Sequence, residues 1–116
     1  MMKPKAKRQG KYNAHSTVID GIRFPSKLEG GYYEYLKAAK SIGAVKYFLR
    51  QVPFDLPGGV TYRCDFQVFW KDGAVSFVDT KGKETETFKI KKKQVEALYP
   101  VTIDIVKRVP SLKGRL

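Results

Sequence analysis

The sequence predicts an α/β fold: a mixed β-sheet flanked by helices, with its main elements in the order αβββαβ. Three observations predict it. Two stretches carry apolar residues at helical spacing, one on either side of a β-rich middle. That middle, Thr61 to Thr80, reads as a hairpin of aromatic and β-branched residues closed by Lys71-Asp72-Gly73. The second helical stretch ends at Pro100 and is followed by the alternating VTIDIV, so a strand–helix–strand crossover and a parallel pairing are expected.

The elements follow in order. Residues 1–11 (MMKPKAKRQGK) are basic, contain no acid and have little apolar surface, so a flexible arm is expected there. Residues 12–109 form the single domain, and 110–116 a basic tail. Within the domain, Thr17-Val18-Ile19, Asp20-Gly21 and Ile22-Arg23-Phe24 read as two short extended pieces around a turn. Ser26 with Glu29 three residues on fits a capping box, in which the Glu side chain bonds back to the cap. Leu28, Tyr32, Tyr35, Leu36, Ala39 and Ile42 give that helix a core face, and Gly43 ends it. Gly30-Gly31 disfavours the helix by about 1 kcal/mol per glycine relative to Ala, which suits either a close approach of another segment or a loose first turn.

Val45 to Phe54 reads as a strand and Asp55 to Gly59 as a loop. The hairpin strands are Thr61 to Trp70 and Ala74 to Thr80. A second helix spans Thr87 to Tyr99, with Phe88, Lys91, Val95, Leu98 and Tyr99 on one side and Lys89, Lys92 and Lys93 on another. Val101 to Val106 is the last strand.

Composition narrows the function. With 116 residues the chain is one domain, and 42% hydrophobic with 13% aromatic residues is a globular composition. No apolar run reaches the roughly 18 residues of a membrane span, and the basic start lacks the apolar core of a secretion signal. A single cysteine, Cys64, excludes an internal disulfide and a multi-cysteine zinc site and suits a reducing cytoplasm. Lys plus Arg number 23 against 11 acids, a net charge of +12. Such a field attracts polyanions, nucleic acid above all.

The chemistry is concentrated in the hairpin. Asp79 and Lys81 share a face if the strand runs that far, and Asp65 on the neighbouring strand can lie beside both. Adjacent buried acids repel, whereas a divalent cation between them removes the objection. Mg²⁺ takes oxygen ligands and needs few carboxylates. Asp65 and Asp79 would supply two, the Thr80 carbonyl a third and Glu29 a fourth. Lys81 would stand at the edge, ready to stabilise charge at a phosphodiester. Each residue also has a structural reading: Asp65 as a strand residue, Asp79 and Lys81 as a strand end, Glu29 as a capping acid. Asp20 and Asp72 are accounted for by turns, and Cys64 by the core. His15, the sole histidine, lies in a polar N-terminal segment and is a lesser candidate for a general base.

Glu29 on a first helix, Asp65 on a central strand and Asp79-Thr80-Lys81 ending the next resemble the PD-(D/E)xK nuclease superfamily. The αβββαβ order is similar to its restriction-endonuclease-like core. The segments KYNA (11–14), SKLE (26–29), YRCDF (62–66), VDTKG (78–82) and the lysine-rich helix also resemble a group of small phage and prophage proteins within it. Two departures stand out: Cys64 precedes the first Asp where the motif has proline, and Asp79 stands where glutamate is more frequent. Gln94 is a candidate for the glutamine some members carry on the following helix, with no role assigned.

The resemblance implies a Mg²⁺- or Mn²⁺-dependent DNA endonuclease of Holliday-junction-resolvase-like type, acting on branched or structured DNA in phage recombination, replication or packaging. Glu29, Asp65, Asp79 and Lys81 would be its catalytic residues, in the cytoplasm of a bacterial host, and a homodimer would suit a resolvase. Lys7 and Arg8 in the arm and Lys89, Lys92 and Lys93 on the second helix would hold DNA phosphates. The alternative is a non-catalytic nucleic-acid-binding protein on a nuclease-like scaffold; a basic accessory protein is a third reading.

Overall fold

A computed structural model describes residues 15–112. The expected arm, with Lys7 and Arg8, the KYNA segment and the end of the basic tail lie outside the described residues. Strands β1 (Thr17–Ile19) and β2 (Ile22–Phe24) form a small antiparallel hairpin. Its turn residues, Asp20 and Gly21, both have positive φ, 55° and 76°. That combination defines the turn whose twist matches a tight hairpin.

Helix α1 (Lys27–Ser41) begins as the sequence predicts, with the Ser26 hydroxyl accepting from the Glu29 N–H at 3.1 Å. It ends in a Schellman motif. Gly43, at φ 84°, donates to the Lys40 carbonyl, and Ala44 donates to that of Ala39. Tyr32, Tyr35, Leu36 and Ala39 are buried as expected, together with Tyr33; Ile42 is half exposed, because it is the cap residue and has left the helix.

The main sheet has the order β3 (Val45–Leu56), β4 (Val60–Trp70), β5 (Val75–Thr80), β6 (Ile103–Val106). The first two pairings are antiparallel and the last is parallel. β3 runs two residues beyond the predicted end, because Asp55 and Leu56 still pair with Thr61 and Val60. β6 starts two residues later than predicted: Val101 follows the turn after α2 and bonds to Tyr99 rather than to the sheet. Helix α2 (Glu86–Leu98) is capped by Thr85, whose hydroxyl accepts from the Phe88 N–H at 3.1 Å. Phe88 and Val95 carry its buried side, while Leu98 is exposed.

Two apolar cores result. Phe66, Val68, Trp70 and Val78 pack with the buried residues of α1. Phe54, Leu56, Tyr62, Cys64 and Ile103 pack with Phe88 and Val95 of α2. From Tyr62 onward the even-numbered residues of β4 are buried, yet they change cores between Cys64 and Phe66. The β3–β4 ribbon therefore rotates at that point. Opposite the rotation lies Gln51, a non-glycine residue at φ 54°, and within it lies Asp65. Among the described residues no helix is long and apolar enough to cross a membrane.

Candidate functional site

The β4–β5 ladder ends at Phe66↔Val78. One step further Asp65 and Asp79 face each other, and side chains take over from backbone bonding. The Asp65 N–H donates to Asp79 Oδ1 at 2.8 Å. In return, Asp65 Oδ2 accepts from both the N–H and the hydroxyl of Thr80, each at 2.9 Å. The two carboxylates thus bridge β4 and β5 where the backbone ladder between them stops. Asp79 is 1% exposed. Burial pushes its carboxyl above the usual range, opposed by the Asp65 N–H and by the Lys81 charge.

Glu29 reaches the same place from the first turn of α1. The capping box is only half formed: Ser26 caps the helix, but the Glu29 carboxylate turns inward. There its Oε2 accepts from Gln51 Nε2 at 3.2 Å and lies 3.9 Å from an Arg50 Nη. Glu29 is 4% exposed. Burial, and then the charge of Asp65, push its carboxyl up to about 7, with Asp79 adding to the rise and Arg50 and Lys81 opposing it. The charges of Asp65, Asp79 and Lys81 therefore all reach Glu29, and the four residues singled out in the sequence gather where the β4–β5 ladder ends.

Lys81 continues β5 beyond its last strand residue, its N–H donating to the Val106 carbonyl at 3.0 Å. Its ammonium lies 4.8 Å from the centre of the Phe88 ring. α2 thus contributes an aromatic face to the lysine, a role its apolar spacing did not disclose. Arg50 and Gln51 are the other residues the sequence did not disclose. Nothing in a strand pattern marks a residue that leaves extended geometry.

Other candidates fall elsewhere. Cys64 is fully buried with its Sγ against the carbonyls of Phe66 and Val78, and burial pushes its thiol up to about 12, so it is a core residue rather than a nucleophile. His15 is exposed before β1, and it is not among the groups whose charge reaches Glu29 or Asp79. On α2, Lys92 pairs with Glu96 at 3.2 Å and Lys89 with Glu86 at 3.5 Å; Lys93 and Gln94 are exposed.

The donors at this site are carboxylate oxygens, the set that suits a hard divalent cation. Among the described residues no three His, Cys, Asp or Glu side chains already enclose a cation position. Among the described residues three buried side-chain polar atoms have no hydrogen-bond partner: Asp79 Oδ2, Arg50 Nε and the Tyr62 hydroxyl, the last in the α2 core. Two of the three belong to residues whose charge reaches Glu29. A buried oxygen without a donor is costly in a folded protein, and a cation at Asp79 Oδ2 would relieve that cost.

No curated protein and no solved structure matches the chain. A family model described as a protein of unknown function (DUF1064) matches residues 9–114. Since that span contains both helices, the whole sheet and the carboxylate cluster, the chain belongs to the DUF1064 family.

Proposed function

We propose that this protein is a divalent-metal-dependent DNA endonuclease with a restriction-endonuclease-like core of the PD-(D/E)xK kind. The observation that carries the reading is the convergence of Glu29, Asp65, Asp79 and Lys81 at the open end of β4–β5, with Asp79 Oδ2 buried and unpartnered. Asp79, Asp65 and Glu29, with the carbonyl of Thr80, would hold Mg²⁺ or Mn²⁺. When bound, such an ion supplies a water of lowered pKa and stabilises charge at a phosphoryl group.

The chain's own residues divide the remaining work. Asp65 fixes the strand end through Thr80, and Asp79 holds Asp65 in turn. Water forms the new P–O bond and loses a proton to solvent, and Lys81 would place a positive charge where the phosphoryl oxygens gain negative charge. The P–O bond to the leaving sugar oxygen breaks, and that oxygen takes a proton from solvent. The net charge of +12 draws the polyanion in. On this reading the substrate is branched or structured DNA, the protein works as a homodimer if it resolves junctions, and it acts in the cytoplasm of a host carrying the phage or prophage.

The test is cleavage of labelled duplex, flap and four-way-junction DNA by purified protein with Mg²⁺, Mn²⁺ or EDTA. Metal-dependent cutting that Asp79→Ala abolishes supports the reading, whereas undiminished cutting by that variant overturns it. Binding without cutting under every condition leaves the non-catalytic DNA-binding role.

A further inference from the structure

Arg50 and Gln51 are neighbours in a strand, and successive strand side chains point to opposite faces. Here both reach the same carboxylate, Glu29. The left-handed backbone at Gln51, φ 54°, accompanies this. For a residue with a Cβ that conformation is unfavourable by about 1–2 kcal/mol, and strain of this kind persists at sites where geometry matters more than local stability.

The two residues treat Glu29 differently. Gln51 donates a hydrogen bond to Oε2 at 3.2 Å. Arg50 lies 3.9 Å from that same oxygen, beyond hydrogen-bond reach, and its Nε is buried with no acceptor. A guanidinium present only to neutralise Glu29 would bond to it directly. Instead it lies 4.7 Å from the centre of the Phe24 ring, and Phe24 is fully buried and fixed. Stacking of this kind orients the planar fork of an arginine. The side chain is still 25% exposed, so part of it is open to solvent while the guanidinium lies 3.9 Å from Glu29.

We infer that Arg50 is a phosphate-binding residue: its guanidinium receives a non-bridging oxygen of the DNA backbone next to the bond that is cut, while Gln51 positions Glu29. The identity of the anion rests on the nuclease reading. An oriented, hydrogen-bond-poor guanidinium matches a phosphate through two N–H groups at once, as a lysine does not.

The experiment measures binding of fluorescein-labelled duplex and four-way-junction DNA in EDTA, where no metal-dependent cutting occurs, over a series of NaCl concentrations. Loss of one phosphate contact lowers the slope of log Kd against log [NaCl] by about 0.9. Arg50→Gln is expected to show that loss together with a Kd raised about tenfold. Arg50→Lys keeps the charge and loses the fork, so it keeps the slope and binds more weakly than wild type. Gln51→Asn, which tolerates the left-handed backbone but is too short to reach Glu29, leaves the slope unchanged.

Thermal unfolding checks that each variant is folded. If Arg50→Gln does not fold, Arg50→Lys decides, and wild-type affinity in it overturns the inference. So do an unchanged slope and Kd in folded Arg50→Gln, and so does a wild-type protein that binds no DNA. Absence of cutting by a wild-type protein that binds DNA overturns the nuclease reading instead, and is read in a separate assay with metal.

Discussion

The main-chain N–H of Asp65 donates to Asp79 Oδ1 at 2.8 Å, so the two acids are linked through backbone and side chain rather than simply placed near each other. One oxygen of Asp79 therefore has a structural task and the other, Oδ2, has none. The two tasks separate by mutation. Asp79→Ala removes the acceptor of a buried N–H and should lower stability by about 1–3 kcal/mol. Asp79→Asn keeps a carbonyl oxygen for that N–H and removes a buried negative charge, so it should unfold within about 1 kcal/mol of wild type. Both should lose cleavage, together with the rise in melting temperature that Mn²⁺ or Mg²⁺ gives by binding the folded state. Urea unfolding and metal-dependent melting read the two effects independently.

Glu29 makes stability depend on pH. Its carboxyl is raised in the folded protein from 4.5 to about 7, so the folded state holds a proton that the unfolded state has lost across that interval. In metal-free protein the contribution is fully present below pH 4.5, is lost as pH rises through about 7, and stays constant above that. Melting temperature should fall between those limits in EDTA. Glu29→Gln should flatten this part of the profile, and a steep fall that survives in that variant would assign it to another group.

Lys81 and Phe88 make a second separable pair. Lys81→Ala should reduce cleavage at least about a hundredfold, on the scale of losing a charge-stabilising donor. It should leave the metal-induced rise in melting temperature in place. Phe88→Leu keeps an apolar side chain in the α2 core but removes the ring beneath the ammonium. A cation–π contact of this kind is worth about 0.5–2 kcal/mol. Its loss should lower kcat, with thermal unfolding confirming a folded variant. An unchanged kcat would show that the ring serves packing alone.

The two glycines of α1 should respond differently to alanine. A Cβ at Gly30 would lie 2.8 Å from Thr17 Cγ2 and 3.0 Å from Ile19 Cδ1, so the β1–β2 hairpin would have to move. At Gly31 the added carbon meets one methyl, Val109 Cγ2, at 2.9 Å. Alanine gains about 1 kcal/mol of helix propensity at either position. Gly30→Ala is expected to be destabilising by about 1–2 kcal/mol despite that gain, since overpacking costs about 1–3 kcal/mol. Gly31→Ala is expected to be near neutral, because rotation of one valine side chain relieves the contact. Denaturant midpoints of the two variants give the comparison.

Much of the fold was legible because it rests on local chemistry. Asp20-Gly21 and Lys71-Asp72-Gly73 are turns with glycine at positive φ, Ser26 is a cap and Gly43 is a helix stop, whereas the Thr85 cap, two residues before the expected helix start, was not legible. The Gly30-Gly31 pair pointed to a close approach, and the hairpin and Val109 make it. Of the candidate site, Asp65, Asp79 and Lys81 were legible from alternation, because strand pairing follows the same period. Glu29 looked like a capping residue, and the sequence could not say where its side chain would turn, since that depends on Arg50 and Gln51, 21 and 22 residues away. Gln51 has no local signature: a glutamine in the left-handed region is held there by the surrounding ribbon. Lys92 looked free for phosphate, but its carboxylate partner Glu96 lies one helical turn on.

The parallel pairing of β5 with β6 bears on how the protein is made. The strand carrying Asp79 is bordered on one side by its hairpin neighbour, but on the other by β6, which follows only after α2, with Lys81 tied to Val106. During synthesis the acids and the lysine leave the ribosome before the segment that fixes them does. The cluster is completed only once β6 has joined the sheet, so copies cut short before Val106 lack the contact that fixes Lys81.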